Sequence, residues 1–226
     1  MNRLTLFLAA LLSISLVLTG CKRCVQPDPI PEAEAEKRFE TIESTFKNDL
    51  DGWSVIGDAA DFRWNDTGGN PGGWISARDL AQGIVAYWVA PDKFLGDKSL
   101  AYGQTLAFDV FNNPATPRFS LGDKEADVII KGGDLTLMYR FDPAAEPTSE
   151  WTSFSLDFHE SDNWRTGANW ANATATNKEE MLQVLSNLTE LVIRAEYRQG
   201  AARTMGLDNV RITAASNSPA GTHNED

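Results

Sequence analysis

One loop of the sequence combines indole rings with amide and guanidinium groups over a short span. This segment, HESDNWRTGANWANATATN, covers residues 159–177 and contains Asn163, Trp164, Arg165, Asn169 and Trp170. Flat aromatic faces with a few well-placed polar groups are typical of protein sites that bind sugar rings. Trp170 lies among Ala, Asn and Thr, and we therefore expect its ring to be exposed. The five residues are candidates for contact with a glycan or with another surface protein.

Groups suited to acid–base catalysis are scarce. The chain has two histidines, His159 and His223, although this side chain transfers protons in most general acid–base sites. His159 has no recognisable nucleophile motif beside it, and the sequence contains no G-x-S-x-G. A glycosidase needs two carboxylates at a set separation. Because the chain has 32 acidic residues, this requirement does not distinguish a glycosidase from any other protein of similar composition. The sequence predicts a protein that is not an enzyme.

A glycine-rich stretch precedes one of the predicted strands. In TGGNPGGWISARD, residues 67–79, four glycines and one proline fall within six consecutive positions. Glycine is placed where the backbone needs a positive φ or is approached closely by other atoms. We predict a tight loop that leads into a strand. This loop either packs against the N-terminal strand as a bent corner or lines a cation or ligand site.

The N-terminal residues read as a targeting signal. Residues 1–20 contain Arg3 followed by an apolar run, which is typical of a secretory signal peptide and too short for a lasting membrane span. The run ends in Leu-Thr-Gly-Cys21, which resembles the lipobox of bacterial lipoproteins. The resemblance implies a diacylglycerol on Cys21 that anchors the protein to the membrane. Lys22 is not the aspartate of an inner-membrane retention signal, and we therefore expect the outer membrane.

Charge and cysteine content exclude several classes of partner and cofactor. The formal net charge is −12, which disfavours binding to nucleic acid or to anionic lipid headgroups. Cys21 and Cys24 are the two cysteines, so lipidation of the first leaves no intrachain disulfide. One thiol and two histidines do not supply the four ligands of a structural zinc site. No cofactor is required by the sequence.

Two segments have too little apolar surface to fold. Residues 21–42 are rich in Pro, Glu and Lys, and residues 216–226 are equally polar. Such composition predicts a solvated tether and a disordered tail. The folded domain is therefore expected to cover residues 43–215.

Short β-type runs recur through this domain, separated by turn residues. They are residues 53–56, 74–77, 84–90, 105–112, 126–132, 135–141, 152–158, 191–197 and 209–213. Several alternate apolar and polar residues, as a sheet with one solvated face requires. In TLAFDVF, for example, Leu106, Phe108 and Val110 share one face. About nine such strands predict an all-β sandwich of antiparallel sheets.

A single helix is predicted near the C-terminal end. TNKEEMLQVLSNL, residues 176–188, opens with Thr176 and Glu179 in capping-box spacing. Met181, Leu182, Leu185 and Leu188 then recur at helical spacing. We expect this apolar stripe to cover one end of the sandwich.

The order of these segments resembles the laminin B module, also called the laminin type IV A domain. The segments that carry the resemblance are FKNDLDGWSVIGD (46–58), GGNPGGWISARD (68–79), YWVAPDKFLGDKSLAYGQTLAFDV (87–110), DVIIKGGDLTLMYRF (127–141), WTSFSLDFHESDNWR (151–165), LQVLSNLTELVIRAEYRQGA (182–201) and GLDNVRIT (206–213). The resemblance implies a jelly-roll β-sandwich similar to carbohydrate-binding modules. It also places Trp164 in the family pattern as a packed residue. A shared fold does not supply an activity.

The resemblance further implies a structural calcium. In similar jelly-roll modules this ion joins the first strand, the early glycine-rich loop and an aspartate of the last strand. Asp208 matches the last-strand position, and Asn70 with nearby carbonyls matches the loop. The first strand reads Phe46-Lys47 where the family has an acid after Phe, which leaves Asp49 as the substitute. The alternative is that Asp208 and Asn209 only hydrogen-bond a turn.

Two functions from different classes follow. One is a lipid-anchored binding or adhesion module that recognises a glycan or a surface protein. The other is a passive structural lipoprotein that serves as a protein scaffold without a small ligand. An exposed Trp170 beside a polar rim favours the first, and a flat apolar patch without a cleft favours the second.

Overall fold

A computed structural model of the chain describes residues 38–80, 83–113, 125–142, 145–197 and 203–214. The predicted signal peptide, most of the predicted tether with Cys21 and Cys24, His223 and the predicted tail lie outside these residues. Within them, no helix has both the length and the apolar character needed to cross a membrane. Phe39 and Ile42, which the sequence assigned to the tether, already pack against the hydrophobic core.

The described residues form thirteen strands and one α-helix. The strands are β1 Ile42–Ser44, β2 Ser54–Ile56, β3 Ala59–Gly69, β4 Gly72–Asp79, β5 Tyr87–Val89, β6 Thr105–Asn113, β7 Val128–Gly132, β8 Leu135–Tyr139, β9 Thr152–Asp157, β10 Trp164–Thr166, β11 Thr174–Ala175, β12 Leu188–Arg194 and β13 Thr204–Thr213. The helix α1 is Lys178–Ser186, and three 3-10 turns cover Asp92–Phe94, Ser99–Ala101 and Trp170–Asn172. Each of the nine predicted runs overlaps a strand, which confirms the all-β prediction.

The strands form two antiparallel sheets that pack face to face as a sandwich. The first sheet has the order β3-β4-β13-β6-β9, with β1 paired to the far end of β13. The second has the order β11-β10-β8-β7-β12-β5-β2. Alternation places one face of each strand, and with it most of the buried apolar side chains, between the sheets. Leu106, Phe108 and Val110 of β6 are all buried there, as predicted.

Four strands were not predicted, for two physical reasons. β3, with the sequence AADFRWNDTGG, has mostly exposed or half-buried side chains. It pairs with β4 at the edge of its sheet, and Ala59, Phe62 and Trp64 pack against the core while remaining partly exposed. β1, β10 and β11 have only two or three residues each. Such strands leave no period-2 pattern long enough to detect.

The helix lies where the sequence places it, but its predicted cap is wrong by one residue. Asn177 is the N-cap, and its side chain accepts a hydrogen bond from the Glu180 backbone N–H at 3.0 Å. The Glu180 carboxylate accepts one from the Asn177 backbone N–H, which completes the capping box. Thr176 is held elsewhere, because its backbone N–H donates to the Trp164 carbonyl beside β10.

The buried face of the helix also differs slightly from the predicted stripe. Met181, Val184 and Leu185 are buried, whereas Leu182 is half-buried. Leu188 is buried as the first residue of β12 and lies beyond the helix. The helix therefore covers the β7 and β8 side of the sandwich through a narrower apolar face than its sequence suggests.

Candidate functional site

The glycine-rich stretch forms a β-hairpin turn. β3 ends at Gly69, β4 begins at Gly72, and the Asn70–Pro71 peptide bond between them is cis. Gly73 lies directly against the N-terminal segment, since a Cβ atom there would be 2.0 Å from the Phe46 carbonyl oxygen. The same carbonyl accepts a hydrogen bond from the Trp64 indole N–H at 2.7 Å. The stretch is thus a corner packed against the N-terminal segment, one of the two predicted possibilities.

The tip of this hairpin is fastened to the middle of its own sheet by four polar residues. We call Asn70, Asp109, Asp208 and Asn209 the hairpin clasp. The Asn70 backbone N–H donates to Asp208 Oδ2 at 2.6 Å, and its amide donates to Asp109 Oδ2 at 3.1 Å. The Asn209 amide donates to the same Asp109 oxygen at 2.8 Å and also to the Asn70 carbonyl. The sequence located Asn70 and Asp208 but did not identify Asp109.

Two carboxylates of the clasp face each other across neighbouring strands. Asp208 of β13 pairs directly with Asp109 of β6, and both side chains are buried. Burial raises the pKa of Asp208 to about 6, and the negative charge of Asp109 adds to the rise. The backbone N–H groups of Asn70 and Asn209 oppose it by bonding the carboxylate. The clasp therefore holds one carboxylate whose charge is costly.

This arrangement predicts a pH dependence of stability. The pKa of Asp208 is higher in the folded protein than its ordinary value of 3.8, so the folded state binds the extra proton. Its contribution to stability is full below about pH 4 and is lost as the pH rises through about 6. We expect the free energy of unfolding of the wild type to fall, relative to Asp208→Asn, across this window.

The measurement is chemical unfolding of both proteins at several pH values. Asn offers one hydrogen-bond acceptor fewer than a carboxylate. The free energy lost in this way is the same at every pH, so the pH dependence of the difference between the two proteins still reports the titration. Glu196→Gln serves as the comparison, because burial raises the pKa of Glu196 to about 7 and moves its window higher. Parallel curves for wild type and Asp208→Asn would contradict the prediction.

The clasp presents oxygen ligands of the type that calcium takes. A Cβ atom at Gly69 would lie within 2.8 Å of Asp208 Oδ2 and of the Gly72 and Gly73 carbonyl oxygens, so three oxygens converge on that side of the turn. The described residues contain no group of three or more His, Cys, Asp or Glu side chains placed to hold a metal. Asp49 is exposed and accepts a hydrogen bond from the Asp51 backbone N–H at 2.7 Å, in a turn of its own.

The predicted binding residues of the loop 159–177 do not share one exposed surface. Trp164 is fully buried in the core, as the family pattern implies, and its indole N–H donates to the Asp157 carbonyl at 3.0 Å. Asn169 caps the 3-10 turn by accepting from the Asn172 N–H at 3.2 Å. Asn163 is exposed, and its amide donates to the Tyr139 hydroxyl at 3.3 Å. Trp164 and Asn169 therefore have structural contacts of their own.

Trp170 is half-buried rather than exposed. The Arg140 guanidinium carbon lies 4.4 Å from the centre of its ring, and that of Arg165 lies at 5.9 Å. Both distances are within the range of cation–π attraction. Two cations therefore already contact the ring that the sequence offered as a sugar platform.

A second aromatic group, which was not predicted from the sequence, lies on the solvent side of the first sheet. We call Trp74, Phe111 and Trp151 the outward aromatic cluster. All three rings are half-buried and lie outside the main hydrophobic core. Their centroids are 5.4 to 5.8 Å apart, with Trp74 edge-on to both partners. The signal was present in β6, because alternation turns Phe111 away from the face of Phe108 and Val110.

The rings of this cluster are fixed by the hairpin and by a glycine. The Trp74 indole N–H donates to the Thr67 carbonyl at 2.8 Å, and that of Trp151 donates to the Gly68 carbonyl at 3.0 Å. Gly206 of β13 lies beneath them, since a Cβ atom there would be 2.7 Å from the Trp74 ring. With both N–H groups bonded, the apolar faces are held in place before any ligand arrives.

The amino-acid sequence of the chain is similar to those of a known protein family. The model of the family Laminin B (Domain IV) matches residues 87–226. The chain is 32% identical over 206 residues to laminin subunit gamma-2 of Homo sapiens, which covers 87% of this chain and 16% of that protein. It is 31% identical over 132 residues to laminin subunit alpha-1 of Mus musculus, covering 58% of this chain and 4% of that protein.

A solved structure agrees with the sequence relatives. The L4b domain of human laminin alpha-2 aligns with a TM-score of 0.54 at 20% identity, covering 63% of this chain and 80% of that one. This likeness supports the two-sheet fold. The chain spans less than a fifth of the length of the laminin subunits it matches. The family match and the 32% identity to laminin gamma-2 together establish that this chain belongs to the laminin B family.

Proposed function

We propose that the protein is an exported, non-catalytic binding module and that its outward aromatic cluster binds a neutral glycan. The observation that carries the proposal is three packed rings on the solvent face of a sheet, outside the core, two of which are held by hydrogen bonds from their indole N–H groups. Aromatic faces of this kind supply contact area to the apolar side of a sugar ring at little cost in conformational entropy.

The charge of the protein favours a ligand that is not an anion. The net charge is −12, and Asp109 and Asp208 lie on the same face as the aromatic cluster. A polyanion would be repelled at long range by this field. Neutral polysaccharide meets no such barrier.

Replacing Trp151 by alanine is expected to weaken binding to neutral polysaccharide by about tenfold, or ~1.4 kcal/mol. The variant removes one stacking face, while Trp151→Phe keeps an aromatic ring of smaller area and loses the N–H bond to Gly68. Trp151→Phe should therefore retain most of the affinity. The measurement is retention of the full chain, in a non-glycosidic detergent, on gels containing neutral polysaccharides, with melting temperatures recorded in parallel.

Trp170→Ala is the matched control from the loop 159–177. Equal retention of Trp170→Ala and wild type supports the aromatic cluster as the site. Loss of retention in Trp170→Ala alone would instead place the glycan on the loop. Failure of the wild type to bind any neutral polysaccharide would favour the passive scaffold function.

We also propose that a lipid on Cys21 anchors the mature chain to the outer membrane. The support is the apolar N-terminal run, the Leu-Thr-Gly-Cys21 sequence and Lys22 after it. Anchoring many copies on one surface would turn weak single-site affinity into firm adhesion. Fatty-acid labelling of the full chain should be lost in Cys21→Ser, and equal labelling of the two proteins would refute lipidation.

A calcium ion at the hairpin clasp is a further proposal. Asp208, Asn70 and carbonyls of the glycine turn would hold it, and Asp109 adds a second carboxylate. When bound, calcium would neutralise the two facing charges. Asp49 is the weakest of the predicted ligands, because its carboxylate is bonded within its own turn.

Calcium should then raise the melting temperature, and Asp208→Asn should abolish the rise. A ligand at a hundredfold excess over its dissociation constant stabilises the folded state by about 2.7 kcal/mol. The rise should be larger at pH 7 than at pH 5, because Asp208 with a pKa of about 6 must lose its proton to bind the ion. Identical melting curves in calcium and chelator at pH 7 would exclude the site.

A further inference from the structure

β9 forms the outer edge of the first sheet and leads away from the aromatic cluster. Trp151 stands just before the strand, and Ser153, Ser155 and Asp157 follow at every second position on the same face. Ser153, Ser155 and Asp157 are all exposed. At a rise of ~3.3 Å per residue, the six steps from Trp151 to Asp157 span about 20 Å. The edge therefore offers a continuous polar path that starts at the aromatic cluster.

A cavity of about 220 Å³ lies at the far end of this path. We call it the edge pocket, and it is lined by Tyr139, Ser155, Leu156, Asp157, His159, Ser161 and Asn163. Two of these residues, Ser155 and Asp157, belong to the path itself. Pockets for drug-sized ligands have roughly 300–1,000 Å³. The edge pocket is smaller and suits a group about the size of one sugar ring.

The lining offers both donors and acceptors of hydrogen bonds. The exposed Asn163 side chain donates to the Tyr139 hydroxyl through its amide N–H and has a side-chain oxygen, Oδ1, that can accept. His159 Nε2 lies 3.7 Å from Asp157 Oδ2. The other carboxylate oxygen, Asp157 Oδ1, accepts a hydrogen bond from the Thr105 hydroxyl at 2.6 Å. Ser155 and Ser161 add hydroxyl groups. This mixture matches a ligand rich in hydroxyl groups, and Asp157 disfavours an anion.

We infer that the edge pocket is a second subsite for the same glycan and that the ligand is an extended chain lying along β9. The inference rests on the proposed function, because the aromatic cluster provides the first subsite. A chain that reaches from the rings to the pocket contacts both in one molecule, and the second contact is then intramolecular. A single sugar or a disaccharide would occupy only one of them.

The test measures the affinity of the full chain for neutral oligosaccharides of increasing length. Cello-, xylo- and laminari-oligosaccharides from dimers to hexamers are the probes, with isothermal titration or fluorescence of the tryptophans as readout. Within the oligosaccharide type that the protein binds, affinity should rise at least about tenfold once the oligomer is long enough to span about 20 Å. His159→Ala combined with Asn163→Ala should reduce affinity for the long oligomers about tenfold and leave that for dimers unchanged.

Trp151→Ala should weaken every length, which separates the two subsites. Glu179→Ala, at an exposed residue of α1 on the side of the second sheet, is the matched control and should bind like the wild type. One outcome separates the two proposals. If the double variant His159→Ala/Asn163→Ala binds hexamers as tightly as the wild type does, and Trp151→Ala binds them weakly, then the edge pocket is not a subsite but the proposed function stands. If no oligomer and no polysaccharide binds the wild type, both are wrong.

Discussion

Replacing Gly73 by alanine is expected to lower the free energy of unfolding by at least about 3 kcal/mol. The added Cβ atom would lie 2.0 Å from the Phe46 carbonyl oxygen, far inside any permitted contact. Two backbone segments would have to separate, since neither atom belongs to a flexible side chain. Their separation would also break the 2.7 Å hydrogen bond from the Trp64 indole to the same carbonyl, which costs about 1 kcal/mol more.

Gly72→Ala is the matched control one residue earlier in the same hairpin. Its φ is +95°, but no atom lies within 4 Å of the position of its Cβ. The cost there is backbone strain alone, about 1–2 kcal/mol. Urea unfolding of the two variants should therefore rank Gly73→Ala well below Gly72→Ala. The reverse order would mean that the hairpin does not pack against the N-terminal segment.

Trp164→Ala is expected to destabilise the domain by about 3–5 kcal/mol, as loss of a core tryptophan does. The side chain is fully buried, contacts Tyr139 edge-on at 5.1 Å and bonds the Asp157 carbonyl through its indole. For a domain of this size each kcal/mol lowers the melting temperature by about 2–4 °C. Thermal unfolding followed by circular dichroism should detect the change easily.

Trp170→Ala provides the contrast within the same loop. Its ring is half-buried and its recognised contacts are the guanidinium groups of Arg140 and Arg165, each worth about 0.5–1 kcal/mol at exposed sites. We expect a loss of no more than about 2 kcal/mol. A loss as large as that of Trp164→Ala would identify Trp170 as a core residue and remove it from any binding surface.

The sequence was sufficient for features that depend on local periodicity. Alternation in β6 identified Leu106, Phe108 and Val110 as one buried face, because side chains of a strand point to opposite sides in turn. Helical spacing located α1, although its cap moved from Thr176 to Asn177 and its buried face is narrower than predicted. The cap moved because the Thr176 backbone N–H was already bonded to Trp164, a contact that spacing does not reveal.

The hairpin clasp could be predicted only in part. Asn70 and Asp208 followed from the family resemblance, whereas Asp109 is 39 residues from Asn70 in the chain and meets it only through the sheet. The pairing of β6 with β13 sets Asp109 opposite Asp208. The chain contains 32 acidic residues, and their order along the chain does not reveal which two lie opposite each other on paired strands.

The amino-acid sequence by itself therefore determined the family, the two-sheet class of fold and the buried face of individual strands, since these follow from residue order and short-range alternation. Only the tertiary structure decided which outward side chains meet. Trp74 belongs to β4, Phe111 to β6, and Trp151 directly precedes β9. The three rings touch because Gly206 of β13, the strand between β4 and β6, leaves room for Trp74 above it. Strand order across a sheet is set by packing of distant segments, and no local pattern in the chain encodes it.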